Sequence, residues 1–122
     1  MNKPIPRQMH AVLDYGYAAL FSAAPEIVGF TDEEIAAPLS RVVSGGVLLT
    51  SLFTRYELGL IKVLPFKAHL ATDVAVGLMT LAAPFALGFS ENKKARNFFV
   101  GLGAFSVMAG LLTETEEMNE KE

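Results

Sequence analysis

The chain contains two histidines, His10 and His69, and each is followed four residues later by an aspartate, Asp14 and Asp73. Residues four apart share a helical face, so each pair would set an imidazole beside a carboxylate. Three kinds of chemistry are open to that set. The groups can satisfy one another and tie helices together, since buried polar groups need partners. They can ligate a transition metal through His10 and His69 with carboxylates alongside, or a haem iron between the two imidazoles. Or Asp14 and Asp73 can titrate and move a proton or small solute through a membrane. Glu57 and Glu116 recur in the same pattern and complete two candidate triads, His10/Asp14/Glu57 and His69/Asp73/Glu116. Arg55 has no basic counterpart, because Glu114 stands in its place, and it is a candidate counter-ion for one of the acids.

These residues recur because the chain repeats itself. Displaced by 59 residues, Lys3 falls on Lys62, Pro6 on Pro65, His10 on His69 and Asp14 on Asp73. Ala23-Ala24-Pro25 then falls on Ala82-Ala83-Pro84, Gly29-Phe30 on Gly88-Phe89, Thr54 on Thr113 and Glu57 on Glu116. Repeat 1 covers about 3–57 and repeat 2 about 62–116, within a single domain of 122 residues that ends in an acidic tail, 117–122. An internal repeat of this length decides the architecture before any local reading does.

Each repeat holds two apolar segments too long for strands. The first helix of each unit is expected at about 10–30 and 69–89, and the second at about 39–54 and 97–113. Segments 42–54, 74–90 and 97–113 carry no charged residue, and none has a clear polar face. A helix that is hydrophobic all round belongs in a large core or in lipid. A chain of 122 residues is too short to hide four such helices from water. Pro25 and Pro84 are expected to break the first helix of each unit, and Gly29 and Gly88 to end it in the left-handed conformation. Asp32 or Ser90 is placed to cap the helix that follows. Ser44-Gly45-Gly46, Gly101, Gly103 and Gly110 would let helix backbones approach, within the bundle or against a second membrane protein or copy.

The expected fold is therefore all-α: a four-helix transmembrane bundle of two tandem helical hairpins, related by a pseudo-twofold axis along the membrane normal. Lys3, Arg7, Arg55, Lys62 and Lys67 lie on the side of the termini, against Arg41, Lys93, Lys94 and Arg96 on the other. Five against four favours cytoplasmic termini in a multi-pass protein of the cell membrane.

Composition excludes several classes. Hydrophobic residues make up 52% and charged residues 19%, and the net charge is −3 without a basic stripe, which argues against nucleic acid. There is no Cys, so no disulfide or thiolate chemistry. No phosphate loop, nucleophile elbow or zinc-protease motif is present, and no cleavable signal peptide is read. Tyr15, Tyr17 and Tyr56 read as interfacial anchors, and Ser44 and Thr50 as hydroxyls bonded back to their own helix.

A helix opening His-x-x-x-Asp and closing with Ala-Pro, then Gly-Phe, repeated twice, resembles the SPW-repeat family of small bacterial membrane proteins. The resemblance covers both copies. The family's Ser-Pro-Trp tripeptide is represented by Ala24-Pro25-Glu26 and Ala83-Pro84-Phe85. It implies a membrane location and a two-hairpin fold, and it implies no activity. The reading at this level is a non-enzymatic accessory or assembly subunit without a cofactor, its partner the lipid bilayer. The alternative is a proton or solute carrier, or a metal- or haem-binding protein, using the His-x-x-x-Asp pairs.

Overall fold

The computed structural model describes residues 3–117. They form four α-helices: α1 (Arg7–Ala24), α2 (Ala36–Leu52), α3 (Phe66–Ala86) and α4 (Lys93–Leu112). A π-helical turn over Pro25–Gly29 continues α1. The described residues contain no β-sheet, only two isolated bridges, and the chain is two successive helical hairpins, α1–α2 and α3–α4.

The ends of the helices depart from the sequence reading in instructive ways. α4 begins at Lys93 rather than near 97, because Lys93, Lys94 and Arg96 fit on the open first turn. Neither Asp32 nor Ser90 caps. Asn92 Oδ1 accepts from Ala95 N at 3.1 Å to cap α4, and α2 has no side-chain cap. Pro25 and Pro84 do not stop their helices. Both are buried, Pro84 lies inside α3, and Pro25 opens the wider π turn, where a missing N–H is cheap. The stop falls at Gly29 (φ 97°) and Gly88 (φ 83°), as expected. There Phe30 N–H bonds the Pro25 carbonyl and Phe89 N–H the Pro84 carbonyl, each at 2.9 Å. Of the acidic tail, Glu117 is described. Its carboxylate accepts from the backbone N–H groups of Phe66 and Lys67, each at 2.8 Å, which caps the N-terminus of α3. Residues 118–122 lie outside the described residues.

The two hairpins solve close helix packing differently. In α3–α4, Gly77 faces Gly103, and a Cβ on Gly103 would meet Leu81 N at 2.5 Å and Gly77 O at 2.7 Å. Gly110 likewise faces α3, so Gly103 and Gly110 are spent inside the hairpin, whereas Gly45, Gly46 and Gly101 border open space. At the matching places in α1–α2 stand Ala18, Ser44 and Ser51. Ser44 does not bond within its own helix. Its Oγ donates to Ala18 O at 2.6 Å, while Ser40 Oγ donates to Phe21 O at 2.5 Å. Thr50 does bond back, to Gly46 O at 2.8 Å.

The repeats are related by a pseudo-twofold axis parallel to the helices. Equivalent residues meet across it at both ends. The rings of His10 and His69 pack edge to face with centroids 5.4 Å apart, and Asn92 Nδ2 donates to its counterpart Glu33 at 3.1 Å. The backbone follows the same symmetry with an exchange. Ile5, which leads into α1, pairs with Thr113 at the end of α4, and its counterpart Leu64 pairs with Thr54 at the end of α2. An aromatic core of Phe21, Phe30, Phe89 and Phe99 fills the Pro–Gly end. Ala11, Tyr56, Phe66 and Leu70 surround the histidines at the other. Helices α3 and α4 are long and apolar enough to cross a membrane. α2 is shorter, at 17 residues, and α1 carries Arg7 and Asp14.

The α3–α4 contact generates a paired expectation. Gly103→Ala drives a methyl into backbone atoms and should cost about 1–3 kcal/mol of stability. Gly101→Ala, which meets nothing within 4 Å, should be neutral or slightly stabilising. Thermal melts of the two variants in detergent check this; equal effects would refute the packing assignment.

Candidate polar site

The four residues of the two His-x-x-x-Asp pairs form one cluster rather than two. Helices α1 and α3 carry them in the second and third turns, and the symmetry axis brings the two sets face to face. The shortest contacts cross between repeats. His10 Nε2 lies 2.7 Å from Asp73 Oδ2, and His69 Nε2 lies 2.9 Å from Asp14 Oδ2. Each histidine is 3.3 Å from the aspartate of its own helix. Both imidazoles are 1% exposed, and Asp14 is also buried.

Each imidazole is fixed from behind by a threonine at the end of the other repeat's return helix. His10 Nδ1 is 2.7 Å from Thr113 Oγ1, and His69 Nδ1 is 2.7 Å from Thr54 Oγ1. The proton positions follow from the hydroxyls. Thr113 donates to Ala109 O at 2.5 Å and Thr54 to Thr50 O at 2.6 Å. A hydroxyl has one proton, so toward the imidazole each threonine can only accept. Nδ1 of both histidines therefore carries a proton, and Nε2 is the nitrogen presented to the carboxylates. One contact is imperfect. His69 Nε2 is near both carboxylates yet has no aligned hydrogen bond, the only such buried nitrogen among the described residues.

Glu57 and Glu116 are not part of the cluster, which corrects the expected triads. Both lie beyond the helix ends, where the chain turns outward. Glu57 is held by Arg7 through two bonds, Nε to Oε1 at 3.1 Å and Nη2 to Oε2 at 2.9 Å. Arg7 also donates to the Glu116 backbone carbonyl at 3.0 Å. The cation that meets Glu57 is thus Arg7. The Arg7 hydrogen bonds hold the Glu57 carboxyl below its ordinary value, although burial opposes them. Tyr56 is not an interfacial anchor. It is fully buried and its hydroxyl donates to Asp14 Oδ2 at 2.9 Å. Burial, followed by the charge of Asp14, pushes its phenol up, so it remains a donor. Tyr17 is also buried and donates to Leu102 O at 2.8 Å, which leaves Tyr15, half-buried and donating to Leu58 O, as the tyrosine nearest the surface.

A cavity of about 370 Å³ lies between the hairpins and reaches Asp14, His69 and Asp73 at its polar end. Leu39, Gly46, Val76 and Thr80 line its apolar part. The repeat counterparts of these four are Phe98, Phe105, Tyr17 and Phe21. Those rings pack on one another, Phe21 against Phe98 at 4.9 Å and Tyr17 against Phe105 at 6.3 Å. The symmetry is therefore broken on the apolar side and kept at the polar cluster.

The family model of the SPW repeat domain matches residues 8–113, from the first polar turn of α1 to the threonine that holds His10. The chain belongs to the SPW repeat family. No curated protein and no solved structure matches it. The SPW match spans both hairpins, so the crossed His–Asp contacts and both threonines fall inside it. Sequence reasoning found the four charged members of this SPW cluster but passed over Thr54, Thr113, Tyr56 and Arg7. The threonines had a signal, since they recur at the repeat displacement. Tyr56 and Arg7 lack a counterpart and had none.

Tyr56→Phe removes a buried donor from Asp14 and should cost about 1–3 kcal/mol, read as a lowered melting temperature. The Arg7–Glu57 pair is part-exposed, and its worth is about 0–1 kcal/mol. Its contribution should be present above the ordinary carboxyl value near 4.5 and fade as pH falls through the lower folded value. That acid-side loss should be absent in Arg7→Gln.

Proposed function

We propose that this is a multi-pass protein of the cell membrane, with four spans and both termini on the cytoplasmic side, that acts as a non-enzymatic accessory or assembly subunit. In this reading the polar cluster is the latch between its hairpins. The observation that carries the latch is the exchange of partners, His10 with Asp73 and His69 with Asp14. A pair confined to one helix would stabilise that helix alone, whereas crossed pairs join the repeats.

The surface supports the membrane. Val42, Met79 and Phe85 are 68%, 71% and 62% exposed, and only 33% of the apolar window of α3 and 28% of that of α4 is buried. A core helix of a water-soluble domain shows the opposite. With the π turn, the first helical rod runs Arg7–Gly29, about 34 Å at 1.5 Å per residue, and the 17 residues of α2 give about 26 Å. The hydrocarbon layer is about 30 Å thick. Charged side chains gather at the two ends, with Arg7, Lys62 and Lys67 beyond the cluster and Arg41, Lys93 and Arg96 at the Pro–Gly end.

Two measurements test the reading. Reporter fusions at both termini should give cytoplasmic signals, and the purified chain should need detergent to remain dispersed; a folded monomer in plain buffer would overturn the membrane assignment. A double-mutant cycle of His10→Ala with Asp73→Ala, in chelator-treated detergent samples, should give a coupling of about 0.5–2 kcal/mol, the range seen for polar contacts between membrane helices. Additive effects would remove the latch.

A further inference from the structure

We propose that the four latch residues form a binding site for one divalent transition-metal ion, ligated by His10 Nε2, His69 Nε2, Asp14 and Asp73. The inference rests on the placement of the cluster described above and adds a ligand to it.

Geometry comes first. One donor atom from each residue can be chosen so that all four lie within 4.8 Å of one another. A tetrahedral ion with bonds of about 2.0–2.2 Å needs donors about 3.3–3.6 Å apart. The nitrogen–oxygen contacts among these residues are 2.7, 2.9, 3.3 and 3.3 Å, with His10 and His69 meeting different oxygens of Asp14. Ligation would spread the 2.7 Å contact by about 0.6 Å or more and draw in separations that approach 4.8 Å, through carboxylate rotation and small shifts of the imidazoles.

Each Nδ1 already holds the proton that an Nε2-ligating histidine keeps, so the ion has only to displace the proton shared between Nε2 and a carboxylate, which leaves to solvent. A ligating histidine characteristically donates its remote N–H to an oxygen that fixes the ring and raises its basicity. Thr113 and Thr54 do this for both imidazoles, leaving Nε2 of each directed inward. Tyr56 fixes one carboxylate in the same manner. His69 Nε2, which is 1% exposed as a residue and lacks an aligned hydrogen bond, is the independent sign that the hydrogen-bonded arrangement does not fully use these nitrogens.

Charge points the same way. A divalent cation on two carboxylates and two neutral imidazoles sums to zero, the balance that a low-dielectric surround requires of buried charge. Two nitrogens and two carboxylate oxygens suit Zn²⁺, Fe²⁺, Co²⁺ or Mn²⁺, and the absence of thiolates disfavours Cu⁺. The cavity that ends on Asp14, His69 and Asp73 gives the ion a side open to a further ligand.

Co²⁺ titrated into the detergent-solubilised, chelator-treated full chain is the direct probe. One equivalent should bind, with the intense visible bands of tetrahedral coordination, and Zn²⁺ should displace it. Both signals should vanish in His10→Gln/His69→Gln. Because that variant loses the latch and can fail to fold, the wild-type chain carries a second readout. In ¹⁵N-imidazole spectra, Zn²⁺ should shift both Nε2 resonances and leave both Nδ1 protons in place. Thr54→Val and Thr113→Val should each weaken Zn²⁺ binding 10- to 100-fold, and Thr→Ser at the same positions should restore it. Absence of visible bands, unshifted Nε2 resonances, or binding that survives loss of both histidines in a folded variant overturns the assignment. Those results would leave the His10–Asp73 coupling intact, so the metal site can fail without the latch failing.

Discussion

Four ionisable side chains withdrawn from solvent at one end of the bundle constrain everything around them. An unpaired carboxylate or imidazolium at such a position costs several kcal/mol, far more than any one packing contact returns. The cost is met only when the partner sits on the other hairpin, because each histidine approaches the foreign aspartate more closely than its own. The hairpins cannot slide or rotate relative to one another without exposing or orphaning these groups. Backbone bridges from Ile5 to Thr113 and from Leu64 to Thr54 fix the same register at the helix ends. The polar cluster thus specifies the arrangement that the apolar surfaces, being non-directional, leave free.

The threonines show why a duplicated hairpin suits such a site. Thr54 and Thr113 end α2 and α4, and their hydroxyls are committed to carbonyls one turn back. That commitment is common in apolar helices and by itself unremarkable. Next to a buried imidazole it becomes selective, since a hydroxyl oxygen without a free proton accepts from Nδ1–H and from nothing else nearby. One Thr and one His per repeat, doubled by symmetry, yield two imidazoles with the same tautomer and both Nε2 atoms facing the axis.

How far the sequence discloses this depends on which features the repeat preserves. His10/His69, Asp14/Asp73, Gly29/Gly88 and the two hairpins are legible because they recur in register, and each appears where the repeat places it. The grouping of the charged residues is less so. Spacing along a helix links His10 to Asp14, yet the closer partner, Asp73, is 63 residues away and is reached only through the twofold axis. Glu57 and Glu116 recur as well, but they lie past the ends of the return helices, where Arg7 takes the Glu57 carboxylate and the Glu116 backbone carbonyl. Tyr56 could not be read as a core residue from its neighbours Arg55 and Glu57. Its burial follows from the turn at 53–65 folding back beneath α1 and α3, a long-range effect without local signal.

The divergence between repeats is as informative as the agreement. A duplicated hairpin begins with two equivalent grooves, and here the equivalent positions are filled differently. Tyr17, Phe21, Phe98 and Phe105 pack ring on ring, Tyr17 and Phe105 also facing the cavity, and Tyr17 adds a hydrogen bond to Leu102 O. Their counterparts Val76, Thr80, Leu39 and Gly46 line the cavity that remains. Apolar packing alone would favour filling both, since voids forfeit dispersion contacts on every wall. The polar residues at the cavity's end are those kept most nearly symmetric, whereas the apolar residues above them differ by whole aromatic rings. The cavity that reaches the cluster is therefore walled by small side chains from one set of repeat positions and by the rings of Tyr17 and Phe105 from the other.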